Sequence, residues 1–182
     1  MNRKILVIFL MMLTCLSSAI SSVAISRQGG LVYISKMIPI SYEKQAFIKI
    51  SFNVAITWLA IIIGTITSII FSTANVALLI ISGVAAMILS VGHVCQSYDL
   101  DLRRPSIDWY GVNEISSLSK NTTESILYGF LLAIIFTALT VVAKGNVLIT
   151  ALVLILPAAL YSLGRVWLIR IRLKFVFDEM EI

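Results

Sequence analysis

Five long apolar stretches leave this chain almost no choice of fold. They cover residues 5–25, 52–71, 74–95, 126–143 and 147–169, and none contains a lysine or an acidic residue. Crossing the hydrocarbon of a bilayer takes about 20 mostly apolar residues in helical form. Inside lipid no water satisfies a backbone N–H or C=O, so each segment must bond within itself, as a helix. Of the 182 residues, 59% are hydrophobic and 13% charged, whereas soluble domains hold about 45–50% and about 25%. The expected fold is therefore an all-α membrane protein with about five transmembrane helices, a single domain over residues 1–182.

The first stretch follows Asn2-Arg3-Lys4 and ends near Ser22-Val23-Ala24, a pattern that also fits a cleaved signal peptide. Its apolar run is longer than a usual signal core, which favours a retained span. Ser72-Thr73 and Lys144-Gly145-Asn146 are short enough to close two antiparallel helical hairpins. The long connections, 26–51 and 96–125, carry most of the loop charge. With five spans, eleven Lys and Arg fall on the face of the long loops and the C-terminus, and three on the other. The positive-inside rule puts the richer face in the cytoplasm of a multi-pass protein of the cell membrane. These flanking residues account for the net charge of +5, so no nucleic-acid partner is expected.

In the first long loop, Leu31, Ile34, Met37 and Ile38 recur at i, i+3, i+6 and i+7, the spacing of one helical face. A short amphipathic helix is predicted between Gly29-Gly30 and Pro39. Ser41 is placed to cap the next helix, beginning near Tyr42. An element of this kind either docks on a partner or lies in the headgroup region of the bilayer.

The second long loop holds Asp99, Asp101, Asp108 and Glu114, with His93 just before it. Such a group could be imagined as a metal or acid–base cluster. His93 is the only histidine, however, and Arg103 and Arg104 interleave the acids. A salt-bridged loop is expected, with no catalytic residue, metal ligand or cofactor. The chain has no GxxxxGK[ST], so no P-loop nucleotide site is expected. Within the apolar stretches, Ser82, Ala86 and Ser90 recur every four residues, as do Gly129, Ala133 and Thr137. Small faces of this kind let helices approach closely, and packing within the chain is expected. Pro157 is expected to kink the last helix.

Taken in order, these pieces resemble a family. An apolar helix is followed by Ser26-Arg27-Gln28-Gly29 and by Lys36-Met37-Ile38-Pro39-Ile40-Ser41, then Lys44 and Lys49 lead into a hairpin. Asp101, Pro105, Ile107-Asp108-Trp109, Glu114 and Lys120-Asn121 come next, then a second hairpin and a basic end. Over about residues 10–175 this is similar to the C-terminal half of an exporter-type (type-2) ABC transporter permease. Gln28 departs from the pattern, which usually has an acid there, and such permeases usually carry further N-terminal helices. The resemblance implies a permease subunit, or a C-terminal permease fragment, that performs no ATP hydrolysis itself. It implies coupling to a separate ABC-type ATPase subunit through Arg27, Leu31, Ile34, Lys36, Met37, Pro39 and Ser41. Asp101, Pro105, Asp108, Trp109 and Glu114 would form a cytoplasmic loop motif. Other permease helices or a second permease copy would complete the assembly. The alternative is a small stand-alone accessory or immunity protein without transport activity.

The charge asymmetry makes a topological prediction. A cysteine at Ser119 should be shielded from impermeant thiol reagents in intact cells, while one at Gly145 should be labelled. The opposite labelling pattern would invert the topology.

Overall fold

The computed structural model describes Ile8, residues 20–31, Ile34, and residues 37–105, 120–143 and 146–179. Four long helices make the body: α1, Tyr42–Phe71; α2, Val76–Arg103; α3, Lys120–Val142; and α4, Val147–Glu179. Two short 3₁₀ segments, Ile20–Val23 and Ser26–Leu31, precede them. Each long helix contains a stretch apolar enough to cross a membrane. The described residues thus hold four such helices and not the expected five. The first expected span, 5–25, lies outside them apart from Ile8 and residues 20–25. Over Ile20–Val23 the expected α-helix is replaced by a 3₁₀ turn. Ser21 and Ser22 are both buried there, and their hydroxyls bond to neighbouring helices, Ser21 with Asn53 and Ser22 with Thr122.

The helices outrun the apolar stretches at one end of the bundle. α1 begins at Tyr42, well before residue 52, and α2 continues past 95 to Arg103. Asp99 and Asp101, expected in a loop, are therefore helical and buried. The opposite end is tight. Asn75 caps α2, its side chain accepting from Ala77 N at 2.9 Å. Asn146 caps α4 by accepting from Leu148 N at 3.0 Å and Ile149 N at 3.3 Å. Ser41 occupies the N-cap of α1 but its hydroxyl makes no cap bond; instead Gln45 Nε2 donates back to Ile40 O at 2.9 Å. Pro157 lies inside α4, which runs on as one element beyond it.

α2 is the centre. Of its apolar stretch 61% is buried, against 11% for α1. The outer helices each offer one narrow stripe. α1 buries Ala46, Ile50, Asn53, Thr57 and Ile61; α3 buries Asn121, Ser125, Gly129, Ala133 and Thr137; α4 buries Thr150, Leu154, Ala158 and Ser162. Steps of three and four keep a residue on one side of a helix. Their other faces expose Ile, Leu, Val and Phe, as lipid requires. Hydrocarbon is as apolar as leucine, so apolar burial alone does not drive these helices together. Close backbone approach and interhelical hydrogen bonds do. Ser82, Ala86 and Ser90 are fully buried on α2, in keeping with the small-residue face expected there.

α2 and α4 approach closely at Gly92. A Cβ built there would fall 2.7 Å from the Tyr161 ring and 2.9 Å from the Ser162 backbone. Gly92→Ala should therefore cost about 1–3 kcal/mol by overpacking. Gly64→Ala in α1, where nothing lies within 4 Å, should melt at or above wild type because alanine favours the helix. Thermal unfolding of both variants in detergent checks the contrast; equal melting would show that α2 and α4 separate freely at Gly92.

Candidate functional site at the polar end of the bundle

The start of α1, the end of α2, the start of α3 and the end of α4 gather at one end. Polar side chains on their inner stripes meet there in layers. Nearest the apolar core, Tyr161 donates to Gln96 Oε1, Ser162 donates to Ile88 O, and Asn53 Nδ2 donates to Ser21 Oγ at 2.7 Å. Ser97 and Ser125 share a 2.6 Å hydrogen bond between α2 and α3. Further out, the Tyr42 and Tyr98 hydroxyls face each other at 3.4 Å, and Ser22 Oγ donates to Thr122 Oγ1 at 3.2 Å.

Asp101 is the hub of this end. Its side chain is 0% exposed and receives four donors. Oδ2 accepts the backbone N–H of Ile25 at 2.6 Å and of Ser26 at 3.0 Å. Oδ1 accepts the Ser26 hydroxyl and, at 3.3 Å, Asn121 Nδ2. Asn121 also donates to Arg104 O at 2.9 Å. One carboxyl group thus joins the N-terminal segment, α2 and α3. The N–H groups it takes up open the Ser26–Leu31 3₁₀ segment, where orphan donors need a partner. Gly29, in that segment, has φ 49°, a conformation glycine adopts without a side-chain penalty. Lys49, on α1, holds a buried Nζ with no hydrogen-bond partner and feels the Asp101 charge.

Asp99, two residues earlier and on another side of α2, ties in α4. Its Oδ2 accepts from Arg103 at 2.6 Å and from Arg172. Arg104 pairs with Glu124 of α3 at 3.1 Å. The expected salt bridging is therefore present at Asp99 and Arg104. Asp101 was expected in the same network, but its partners are backbone and neutral side chains. Among the described residues no group of three His, Cys, Asp or Glu could hold a metal ion.

Of the residues singled out for docking, Arg27, Ile34, Met37, Pro39 and Ser41 are exposed. Ile34 and Met37 are helical, and Ile38 and Ile40 beside them are exposed as well. Leu31 ends the 3₁₀ segment; Lys36 lies outside the described residues. Pro105 follows α2 at the polar end, while Asp108, Trp109 and Glu114 lie outside the described residues. Sequence reasoning missed Asn121, Ser125, Gln96 and Tyr161 as members of one polar network. The four-residue rhythm on α3, read outward from Gly129 to Ser125 and Asn121, was the signal available.

No family model, curated protein or solved structure matches this chain.

Removing the Asp101 carboxyl strands two buried N–H groups and a hydroxyl. Asp101→Ala should cost about 3 kcal/mol or more, and Asp101→Asn, which keeps one acceptor, about 1–2 kcal/mol. Melting in detergent can be followed with a maleimide dye that reports exposure of buried Cys95, in a Cys15→Ser background. Unchanged melting of the alanine variant would show that the Asp101 bonds do not hold this end together.

Proposed function

We propose that the chain is a membrane-spanning permease subunit, or the C-terminal part of one, of an ATP-driven ABC exporter, coupled to a separate ATPase subunit. The observation that carries this proposal is the attachment of Ser26 to Asp101. Two motifs that resemble those of type-2 permeases, far apart in sequence, meet in one buried hydrogen-bond set. The segment after Ser26 is thereby fixed at its root to α2, the helix on which the other three pack. It then presents exposed Ile34, Met37, Ile38 and Ile40. A force applied to this apolar surface is delivered to the central helix rather than dissipated in a loose loop.

On this proposal the polar end faces the cytoplasm of the cell membrane, in line with the charge asymmetry. The ATPase takes the apolar side of the segment in helix-in-groove fashion. Exposed Arg27 stands at the rim, where charges set orientation more than affinity. Part of the remaining apolar surface serves further permease helices or a second copy, and the rest faces lipid.

The test is co-purification of a candidate ATPase subunit with wild-type and Ile34→Glu protein at matched membrane expression. A carboxylate buried unpaired in a docked groove should weaken association by about 2–4 kcal/mol, so recovery should fall at least tenfold. Met37→Glu should behave alike. Equal recovery with all three proteins would remove the docking role. The segment would then be an interfacial element, as a stand-alone accessory protein requires.

A further inference from the structure

α1 and α4 both pack on α2, and at the polar end a groove of about 540 Å³ runs between them. It is lined by Glu43, Phe47, Trp167, Arg170, Ile171 and Lys174. The Arg170 guanidinium lies 5.5 Å from the centre of the Phe47 ring, which holds the cation across the groove mouth. Arg170 follows directly on the apolar stretch of α4 that ends at residue 169. Lys174 is one turn farther out on the same side. Phe47 and Glu43 precede the apolar stretch of α1 by a few residues, so both walls sit at headgroup depth.

Phe47 also lines a second groove, of about 360 Å³, that reaches into the membrane zone. Its other walls include Ile50, Val54 and Trp58 of α1, Cys95 of α2 and Val166 of α4. Trp58 is fixed there by donating to Met87 O at 3.1 Å. A charged compartment at the surface thus adjoins an apolar one below it, with a shared aromatic wall. Soluble ligands have no use for the lower compartment at this depth. A lipid fills both.

The charges narrow the class. Two cations and one carboxylate face the upper groove. A phosphate between Arg170 and Lys174 uses the cations. The carboxylate of Glu43 then disfavours a purely anionic headgroup and favours one that also carries an ammonium donor. A quaternary ammonium has no N–H to give it. We infer that this site binds a phospholipid with a primary-amine headgroup, its phosphate on Arg170 and Lys174, its ammonium at Glu43, and an acyl chain along Val54 and Trp58.

The site can be tested on the full chain in nanodiscs, independently of any ATPase. In a Trp109→Phe background the remaining indoles, Trp58 and Trp167, both line the grooves. Their quenching by acyl-brominated phosphatidylethanolamine, phosphatidylglycerol and phosphatidylcholine is compared at equal mole fraction. The ethanolamine lipid should bind about threefold better than either of the others, the factor that one partly exposed ion pair supplies. Glu43→Gln should abolish its advantage over phosphatidylglycerol. Arg170→Gln with Lys174→Gln should abolish selective binding of all three lipids, at unchanged helix content by circular dichroism. Equal quenching by the three lipids in the wild-type groove overturns the site, and a preference for phosphatidylglycerol overturns the amine assignment. Displacement of the lipid by millimolar inorganic phosphate would make it a phosphate site and overturn the lipid occupant.

Discussion

A carboxyl group can be fully buried at the end of a helical bundle only if donors replace the water it has lost. Asp101 meets that condition with two backbone N–H groups, a hydroxyl and an amide, all from outside its own helix. Because those donors come from the N-terminal segment and from α3, satisfying Asp101 fixes where both must lie. Around it the polar end closes: Asn121 bridges on to Arg104 O, and Asp99 brings in α4 through Arg172. Two separate apolar clusters lie beneath. One includes Tyr98, Leu102, Ile25 and Ile169, next to the polar layer; the other includes Leu89, Ile61, Phe136 and Leu154, deeper in the bundle. Ile8 belongs to the deeper cluster and Ile25 to the outer one, so the N-terminal segment touches the bundle at both levels.

The body of the bundle follows a different rule. With lipid on the outside, an exposed isoleucine costs nothing, and the outer helices keep their largest apolar side chains there. What they turn inward includes many small or hydroxylated side chains beside a few large ones such as Ile61, Phe136 and Leu154. This explains why the buried stripe of α3 reads Asn121, Ser125, Gly129, Ala133, Thr137, and why a glycine, Gly92, stands where α2 meets the Tyr161 ring and Ser162 backbone of α4. It also explains the hydrogen bonds of Ser97, Ser162 and Tyr161: a polar side chain in this zone must find a partner on a neighbouring helix or on its own preceding turn. Thr57, Thr65, Ser82 and Thr137 take the second course, each donating to the carbonyl four residues back.

The candidate site was half legible. Ser26 and Asp101 both stood out as motif residues, yet nothing in a linear reading joined them, because they are 75 positions apart. Asp101 was grouped with its charged neighbours Asp99 and Arg103, and a salt bridge was the natural expectation. Helical geometry separates them: Asp99 turns toward α4, and Asp101, two positions on, points to another side of α2. The helix also runs past the loop boundary that hydropathy marks, ending at Arg103. Hydropathy ends a span where charges begin, but a helix continues as long as its backbone bonds are made and its polar side chains have partners.

The sequence by itself determined that this protein is a bundle of membrane-crossing helices, because hydrocarbon permits no other state for isolated segments so long and so apolar. It determined the two hairpins, through connections only two or three residues long, and the inward faces of α2 and α3, through small residues every four positions. Only the tertiary structure decided that α2 is the central helix, since all four apolar stretches have similar hydropathy and differ in what surrounds them. It alone decided that the end of α2 is buried, and that Asp101 takes backbone donors in place of arginine. Hydropathy is a property each segment carries with it, whereas hydrogen-bond partners distant in sequence exist only once the helices have packed.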